Sequence, residues 1–209
     1  MSQRDKEEYH YAKWYDLLLY PFIQPIRRYI TAWVRSRGYE RVLDVCCGTG
    51  DQLKLLARHG IEGEGVDLSD HMLAVAKGGA YPAKCFKEDA SDMHYDDGSF
   101  DLVMTTFALH EKSPETARKI VEEMLRVTKE EGEMLSVDYE LGEKTSLLSR
   151  KLIWFIERLA GGEHYANFRK YLQMGGLPKL LEGLPLQEVK RHYFGQHGIV
   201  LVVLRKIQA

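Results

Sequence analysis

The sequence has few cysteines and no long apolar run. Its 209 residues include three cysteines, which form neither a disulfide framework nor a metal-binding spacing. We therefore expect no metal site and a cytoplasmic, reducing location. No stretch approaches the ~18 uninterrupted apolar residues of a membrane-spanning helix. The first ten residues are charged rather than apolar, so we expect no signal peptide.

The sequence also lacks a strong excess of charge of one sign. The net charge is −2, with an acidic stretch from Asp44 to Glu111 and a mildly basic one from Glu143 to Glu182. Phosphate contacts require clustered cations, so we expect no nucleic-acid partner. With 44% apolar residues, the chain can bury one core, and we predict a single domain over residues 1–209.

The most informative stretch is VLDVCCGTGD, from Val42 to Asp51. An apolar run ends in an acid, and two glycines follow at Gly48 and Gly50, so we predict a strand, a tight turn and the start of a helix. Glycine lets such a backbone turn sharply and approach a ligand. A second predicted strand ends at Asp67, where nucleotide-binding doubly wound folds hold a ribose with a carboxylate.

The remaining predicted elements follow in an order that is typical of an α/β protein. Five strands alternate with helices, which favours a parallel sheet. These strands end near Val45, Asp67, Asp89, Thr105 and Tyr139. Ser69 and Ser113 are predicted N-caps, and Gly132 is expected to end the turn before the fifth strand. Two last strands, LQEVKRHYF and GIVLVVLRK, predict an antiparallel hairpin.

The glycine loop resembles the first motif of class I S-adenosylmethionine-dependent methyltransferases, an acid followed by three alternating glycines. Asp44, Cys46, Gly48 and Gly50 stand in that frame, with cysteine in place of the first glycine. The resemblance implies a Rossmann-like fold with a mostly parallel seven-stranded sheet and a C-terminal antiparallel hairpin. It also implies S-adenosyl-L-methionine as methyl donor and S-adenosyl-L-homocysteine as product. With the motif YDLL, which begins at Tyr15, the similarity is greatest to ubiquinone- and menaquinone-biosynthesis C-methyltransferases and related lipid methyltransferases.

The single predicted domain divides into four segments. Residues 1–38 are expected to form a helical lid of two helices split near Pro21 and Pro25. Residues 39–140 are the expected cofactor-binding core, 141–183 a helical insert on the acceptor side, and 184–209 the terminal hairpin.

The resemblance assigns roles to individual residues at the cofactor site. Asp67 would accept hydrogen bonds from the ribose hydroxyls, and Asp44 would lie near the amino end of the cofactor or orient the loop amides. The backbone at Gly48 and Gly50 would approach the methionyl and ribose portions. The other implied contacts are Tyr15 in the N-terminal helix that covers the cofactor, Leu68 and Met72 beside the adenine, Asp89 and Ala90 at its polar edge, and Thr106 at the ammonium. For Cys46 we expect a negative φ and a side chain that points into the sheet or helix.

Some of these residues have a purely structural alternative. Met72 on a helix is typical of plain core packing, and Asp89 stands in a run of acids that would also suit a solvated loop.

The acceptor side is less well defined by the sequence. Methyl transfer from a sulfonium is an in-line displacement, so the protein mainly aligns the two reactants, and a base is needed only where the acceptor loses a proton. His110 and Glu111 follow the fourth strand, at the binding edge of such a sheet, and are the candidate catalytic residues. Packing is the alternative for His110. Asp138, Tyr139 and His164 are weaker candidates of the same kind.

The predicted insert carries an apolar helical stripe. Its residues are Leu148, Leu152, Phe155, Ile156 and Leu159. They favour either a helical lid with a modest core or an apolar, mildly basic mouth for a hydrophobic acceptor, such as a quinone precursor or a lipid headgroup. The expected partner is a small-molecule acceptor. Peripheral membrane contact stays open, and no oligomeric state is predicted.

Three other functions stay as alternatives. One is a methyltransferase of a polar small amine. Another is a nicotinamide-dependent oxidoreductase, which shares the strand, loop and acid but requires a G-x-G-x-x-G spacing that Cys46, Gly48 and Gly50 do not give. The third is a noncatalytic cofactor-binding module, which nothing in the charge distribution favours.

Overall fold

The computed structural model describes residues 23–207, and the chain divides at Gly38 into two compact units. In the first unit, residues 23–37 form helix α1. Ile26, Ile30 and Val34 are buried, and their spacing of four residues places them on one helix face. Tyr15 and the rest of the predicted lid before residue 23 lie outside the described residues.

The second unit is built on a sheet that has seven strands among the described residues. The strands are β1 Val42–Val45, β2 Glu64–Asp67, β3 Lys84–Lys87, β4 Phe100–Thr106, β5 Thr128–Tyr139, β6 Leu186–Phe194 and β7 Ile199–Lys206. Their spatial order is β3-β2-β1-β4-β5-β7-β6. The first five are parallel, and β7 is antiparallel to β5 and β6. The predicted fold with its terminal hairpin is confirmed.

Helices flank this sheet in the order that the sequence predicts. They are α2 Asp51–Ala57, α3 Asp70–Ala76, α4 Pro114–Val127, α5 Leu147–Ala160, α6 Gly162–Met174 and α7 Gly176–Leu181, with a 3₁₀ turn at Leu109–Glu111. Both predicted N-caps are confirmed, because Ser69 Oγ accepts from Met72 N and Ser113 Oγ accepts from Thr116 N. Each bond satisfies an amide that the first helical turn leaves open.

Strand β5 begins earlier than the sequence predicts. Gly132 does not end a turn, as expected, but lies inside the strand, where the register with β4 shifts between Phe100 and Leu102. A Cβ at Gly132 would lie 2.8 Å from Thr128 Cγ2 and 3.0 Å from Asp101 O. The glycine therefore serves the close backbone approach at this irregularity of the β4–β5 pairing rather than a turn.

The insert between β5 and β6 contains three helices, α5 to α7. The α5 end is held by the β6–β7 turn, since Ser149 Oγ donates to Gly195 O at 2.6 Å and Thr145 Oγ1 donates to His197 O at 2.6 Å. At the other end, Arg118 on α4 donates to Leu180 O at 2.8 Å. These contacts fix the insert over the carboxyl ends of β4 and β5. The 3₁₀ turn, which follows β4, lies at the same place. None of the described helices is both long and apolar enough to cross a membrane.

Candidate active site

The loop that follows β1 is a tight turn in left-handed backbone. Cys47 N donates to Val66 O at 3.0 Å, and Gly50 N donates to Cys47 O at 2.9 Å. Left-handed φ values occur at Cys46 (59°), Gly48 (53°) and Gly50 (66°). The loop therefore needs three residues in a region that L side chains rarely occupy.

The expectation of a negative φ at Cys46 is wrong. The turn requires the left-handed conformation that a glycine would adopt freely, and the cysteine adopts it with a half-buried side chain packed against the main core. Burial raises the pKa of the Cys46 thiol to about 12, because the interior disfavours the thiolate. The thiol is therefore neutral and is not an activated nucleophile at neutral pH.

The two loop glycines serve different purposes. A Cβ at Gly50 would lie 2.9 Å from the Cβ of Ala83 and 3.0 Å from that of Ala76, so Gly50 is required by packing as well as by its φ. A Cβ at Gly48 would meet no atom within 4 Å. Gly48 thus leaves open space beside a backbone that turns sharply, which is where a ligand can approach.

Asp67 connects the end of β2 to this loop. Its Oδ2 accepts from Gly48 N at 2.9 Å, and its Oδ1 accepts from Ser69 N at 2.8 Å. The side chain is half-buried. Each carboxylate oxygen can accept two hydrogen bonds, so each keeps one acceptor position. The two positions together can bind a pair of hydroxyl groups.

The residues after β2 and β3 lie at the same edge of the sheet. Glu88 N donates to Asp67 O at 3.3 Å, so the segments that carry Asp67 and Asp89 are adjacent. Asp89 is exposed and closes a turn on itself, where the amide and hydroxyl of Ser91 donate to its carboxylate and lower its pKa. Leu68 is 60% exposed, an apolar side chain next to Asp67. Met72 is half-buried and Ala90 is buried.

The central strands bring two further predicted residues to this edge. Asp44 is buried in β1, and its neighbours across the β1–β4 ladder lie at the end of β4. Thr105 is also buried, and its hydroxyl makes no hydrogen bond within the described part of the chain. Thr106 is half-buried. The roles that the sequence assigns to Asp44, Thr106 and the other cofactor residues stay predictions.

His110 lies in a polar cluster that is buried except at His164, whose side chain is 24% exposed. Its Nδ1 is 2.6 Å from Asp138 Oδ1, and its Nε2 is 3.5 Å from Glu157 Oε2. Glu157 Oε2 also lies 2.6 Å from His164 Nε2. His110 and Glu157 are 1% and 0% exposed. The 3₁₀ turn, β5, α5 and α6 each contribute one of the four side chains.

Opposite charges set the protonation of this cluster. Burial lowers the pKa of His110, but attraction to Asp138 and Glu157 outweighs it and raises the pKa well above its usual value. Burial raises the pKa of Glu157, but its proximity to the His110 and His164 rings holds it well below its usual range. These charges favour the protonated form of His110, and an imidazolium has no lone pair with which to accept a proton from an acceptor.

Glu111 has a different environment from its neighbour. Its side chain is 36% exposed, and Oε1 lies 3.8 Å from His164 Nδ1. Its backbone carbonyl accepts from Asn167 Nδ2 at 2.9 Å, which holds the 3₁₀ turn to α6. The structure thus brings His110, Glu111 and the weaker candidates Asp138 and His164 together. Their predicted catalytic roles stay predictions.

Glu157 is a buried member of this cluster that was not predicted from the sequence. It lies on the face of α5 that carries Ile153, which is buried, rather than on the predicted stripe. The sequence carries no local signal for this residue, because ionised groups are rarely buried unless they are paired and the partners of Glu157 lie on other elements.

The sheet is doubly wound and ends in an antiparallel hairpin, with an acid–glycine loop after β1 and a carboxylate at the end of β2. Together these features define a class I methyltransferase fold. The family model described as a methyltransferase domain matches residues 42–132. A demethylmenaquinone methyltransferase of Shouchella clausii is 30% identical over 174 residues, which cover 78% of this chain and 72% of that protein. The chain therefore belongs to the class I S-adenosylmethionine-dependent methyltransferase family.

Other relatives agree with this assignment. An uncharacterized methyltransferase of Synechocystis is 37% identical over 99 residues. The match covers 47% of each protein, so the chain spans about half the length of that relative. The magnesium protoporphyrin IX methyltransferase of Synechocystis, solved with S-adenosylhomocysteine, has the same fold, with a TM-score of 0.60 and 16% identity over 88% of this chain and 83% of that one.

Proposed function

We propose that the protein transfers the methyl group of S-adenosylmethionine to a small, hydrophobic acceptor, such as a quinone precursor or a lipid headgroup. The main support for S-adenosylmethionine as the methyl donor is the hydrogen bond from Gly48 N to Asp67 Oδ2 at 2.9 Å. It holds a carboxylate with spare acceptor sites beside the open side of the glycine loop. That arrangement fits a ribose diol.

The chain's residues bind and orient the donor in this proposal. When bound, the cofactor supplies an electrophilic methyl group on a sulfonium. Asp67 would hold the ribose, Leu68 would cover one face of the adenine, and Asp89 would accept from its amine. The backbone at Gly48 would lie against the nucleoside, because a side chain there would fill the open space. Alignment of this kind can supply roughly 7–11 kcal/mol of barrier lowering.

Aromatic residues support a hydrophobic, planar acceptor. The ring centroid of Tyr139 lies 4.8 Å from that of His110 and 5.6 Å from that of Phe107. Trp154 and Phe168 pack with their ring centroids 5.2 Å apart on the insert side. Phe107 has a φ of 54°, a strained conformation of the kind that concentrates at functional sites. Tyr139 and Phe168 are buried in this cluster, and the half-buried Phe107 and Trp154 are the rings that an acceptor could contact at the carboxyl ends of β4 and β5.

The outer face of α5 supports contact with a membrane surface. Four apolar side chains there are 58–75% exposed: Leu147, Leu148, Phe155 and Leu159. The same helix carries Arg150, Lys151 and Arg158. A helix with an exposed apolar stripe beside basic residues is typical of binding to an anionic lipid interface. A lipid-soluble acceptor would be reached from that position.

Two measurements test the methyl transfer. Calorimetry should show binding of S-adenosylmethionine and S-adenosylhomocysteine but not of NAD, and Asp67→Ala should abolish it. Asp70→Ala, which removes an exposed carboxylate paired with Lys87, is the matched control and should bind normally. Radiolabelled methyl transfer is then screened on prenylated quinols, phospholipids and polar amines. Turnover of polar amines alone would discard the hydrophobic acceptor, and tight binding of NAD alone would discard the methyltransferase.

Vesicle flotation tests the membrane contact separately. The double variant Leu148→Gln, Phe155→Gln should lose binding to vesicles that contain anionic phospholipid. Val75→Gln, which changes an exposed apolar residue on α3, should bind like the unchanged protein. Equal flotation of all three proteins would contradict the role of α5.

A further inference from the structure

We infer that His110, Glu157 and His164 form a binding site for a divalent transition metal of the Zn²⁺ class. One ligand atom from each of these three side chains lies within 4.8 Å of the other two. We call these residues the His–Glu–His cluster. It could not be predicted from the sequence, because its ligands come from three separate elements and not from a spaced motif.

The distances within the cluster suit a single ion. Zn²⁺ lies about 2.0–2.2 Å from histidine nitrogens and carboxylate oxygens, so neighbouring ligand atoms of a tetrahedral site are about 3.3–3.5 Å apart. His110 Nε2 and Glu157 Oε2 are 3.5 Å apart. Glu157 Oε2 and His164 Nε2 are 2.6 Å apart, so this pair has to separate by less than about 1 Å.

Each histidine of the cluster has a carboxylate near its Nδ1 atom, the ring nitrogen that is not proposed to bind the metal. His110 Nδ1 lies 2.6 Å from Asp138 Oδ1, which fixes the ring so that Nε2 points toward Glu157. His164 Nδ1 lies 3.8 Å from Glu111 Oε1. Metal-ligating histidines usually donate their second N–H to a carboxylate, which sets the ring orientation and raises the basicity of the ligating nitrogen. His110 has such a bond to Asp138, whereas the 3.8 Å between His164 Nδ1 and Glu111 Oε1 is too long for a hydrogen bond.

The Nε2 atom of His110 is a second, independent observation that points to a bound ion. It is buried and makes no hydrogen bond within the described residues, although its ring is anchored at the other nitrogen. A buried polar atom without a partner costs free energy. A metal ion between Nε2 and the Glu157 carboxylate removes that cost, and it also balances the carboxylates of Glu157 and Asp138.

The donor set indicates the class of metal. Two imidazole nitrogens and one carboxylate oxygen suit borderline ions such as Zn²⁺ rather than Mg²⁺ or Ca²⁺, which prefer oxygen. Three protein ligands leave a fourth position open, as in catalytic zinc sites. If the proposed methyl transfer is correct, an oxygen of the acceptor can occupy that position and ionise more easily there. The metal site itself does not depend on that role.

Cobalt(II) is the probe for this site, because it replaces Zn²⁺ in the same coordination and absorbs visible light. The full chain is stripped with a chelator and titrated with Co²⁺, followed by competition with Zn²⁺. We expect one Co²⁺ per chain, with visible bands but without the near-ultraviolet charge-transfer band of thiolate ligation, and complete displacement by Zn²⁺. Zn²⁺ should also raise the melting temperature.

Matched variants locate the ion. His164→Ala and Glu157→Gln should weaken Co²⁺ binding by more than the about 10–100-fold that outer-shell changes cost. His94→Ala, whose side chain is 87% exposed, and Glu163→Gln on the exposed side of α6 should bind Co²⁺ like the unchanged protein. Binding of S-adenosylhomocysteine by each variant shows that it has folded.

Two results would overturn the site. One is an unchanged protein that binds S-adenosylhomocysteine but no Co²⁺, in which case a proton holds His110 and Glu157 together. The other is a His164→Ala variant that binds Co²⁺ as tightly as the unchanged protein. Metal binding without methyl transfer to any acceptor would support the site and count against the proposed function alone.

Discussion

The Oδ1 atom of Asp138 lies 2.6 Å from the Nδ1 atom of His110, and the two side chains are 1% and 2% exposed. The other carboxylate oxygen accepts from the backbone amides of Leu109 and His110, both at 3.2 Å. One carboxylate at the end of β5 therefore shapes the 3₁₀ turn after β4 and orients the ring that the turn carries. The position of His110 is set by β5 as much as by its own strand.

Replacing this carboxylate should cost stability. Asp138→Asn keeps the shape of the side chain but removes the charge and turns an acceptor into a donor that faces backbone N–H groups. Breaking a buried ion pair on one side costs about 3–5 kcal/mol, so we expect the free energy of unfolding to fall by about 3 kcal/mol. Urea unfolding measures this. Asp92→Asn, at an exposed position, should change it by no more than about 0.5 kcal/mol, and an equal effect of both would contradict the argument.

The two glycines of the β1 loop should respond differently to alanine. Gly50→Ala introduces a Cβ against Ala76 and Ala83 at a left-handed φ. Left-handed strain costs about 1–2 kcal/mol and overpacking about 1–3 kcal/mol, so we expect about 3 kcal/mol of destabilisation. Gly48→Ala has the strain but no clash, and should lose about 1–2 kcal/mol.

Cofactor binding separates the same two variants. Gly48→Ala should remain folded yet bind S-adenosylhomocysteine much more weakly, because its methyl group occupies the open side of the loop. Chemical unfolding and calorimetry on both proteins provide the comparison. Normal cofactor binding by Gly48→Ala would show that the open space beside Gly48 is not part of the cofactor site.

Cys46 offers a direct test of the left-handed backbone at its position. Glycine is normally about 0.5–1 kcal/mol less stable than alanine in regular structure. At the φ of 59° found here, the order should reverse, with Cys46→Gly about 1 kcal/mol more stable than Cys46→Ala. Unfolding free energies of the two variants decide it. An alanine variant that is the more stable would mean that the loop relaxes to negative φ.

The glycine loop after β1 and the carboxylate at the end of β2 could be predicted because their signals are local. The acid and glycines of one loop, and the acid that ends the next strand, lie within two adjacent strand–helix units, so their spacing alone indicates their chemistry. Even there, the sign of φ at Cys46 could not be predicted, because it follows from the turn that three residues share.

The acceptor side depends on contacts between distant parts of the chain. His110 could be named as a candidate from its place after a strand, but its pairing with Asp138 and Glu157 depends on how the insert docks on the sheet. The apolar stripe of α5 suited either a lid with a modest core or an apolar mouth, and the structure has most of the stripe exposed, with Ile153 buried. A helix pattern indicates two faces and does not say which of them a neighbour covers.

Arg118 on α4 is expected to hold the insert in place. Its Nη1 donates to Leu180 O at 2.8 Å and to Glu182 O at 2.7 Å, carbonyls at the end of α7 that have no partner within that helix. The side chain is 32% exposed, so solvent weakens these bonds. Arg118→Ala should lower global stability by about 1 kcal/mol and increase hydrogen exchange in α7 more than in β4. Lys119→Ala, at the exposed neighbouring position, is the control. Equal exchange in both variants would mean that the apolar contacts of α7 alone attach the insert, with Leu177 and Leu180 buried in the main core.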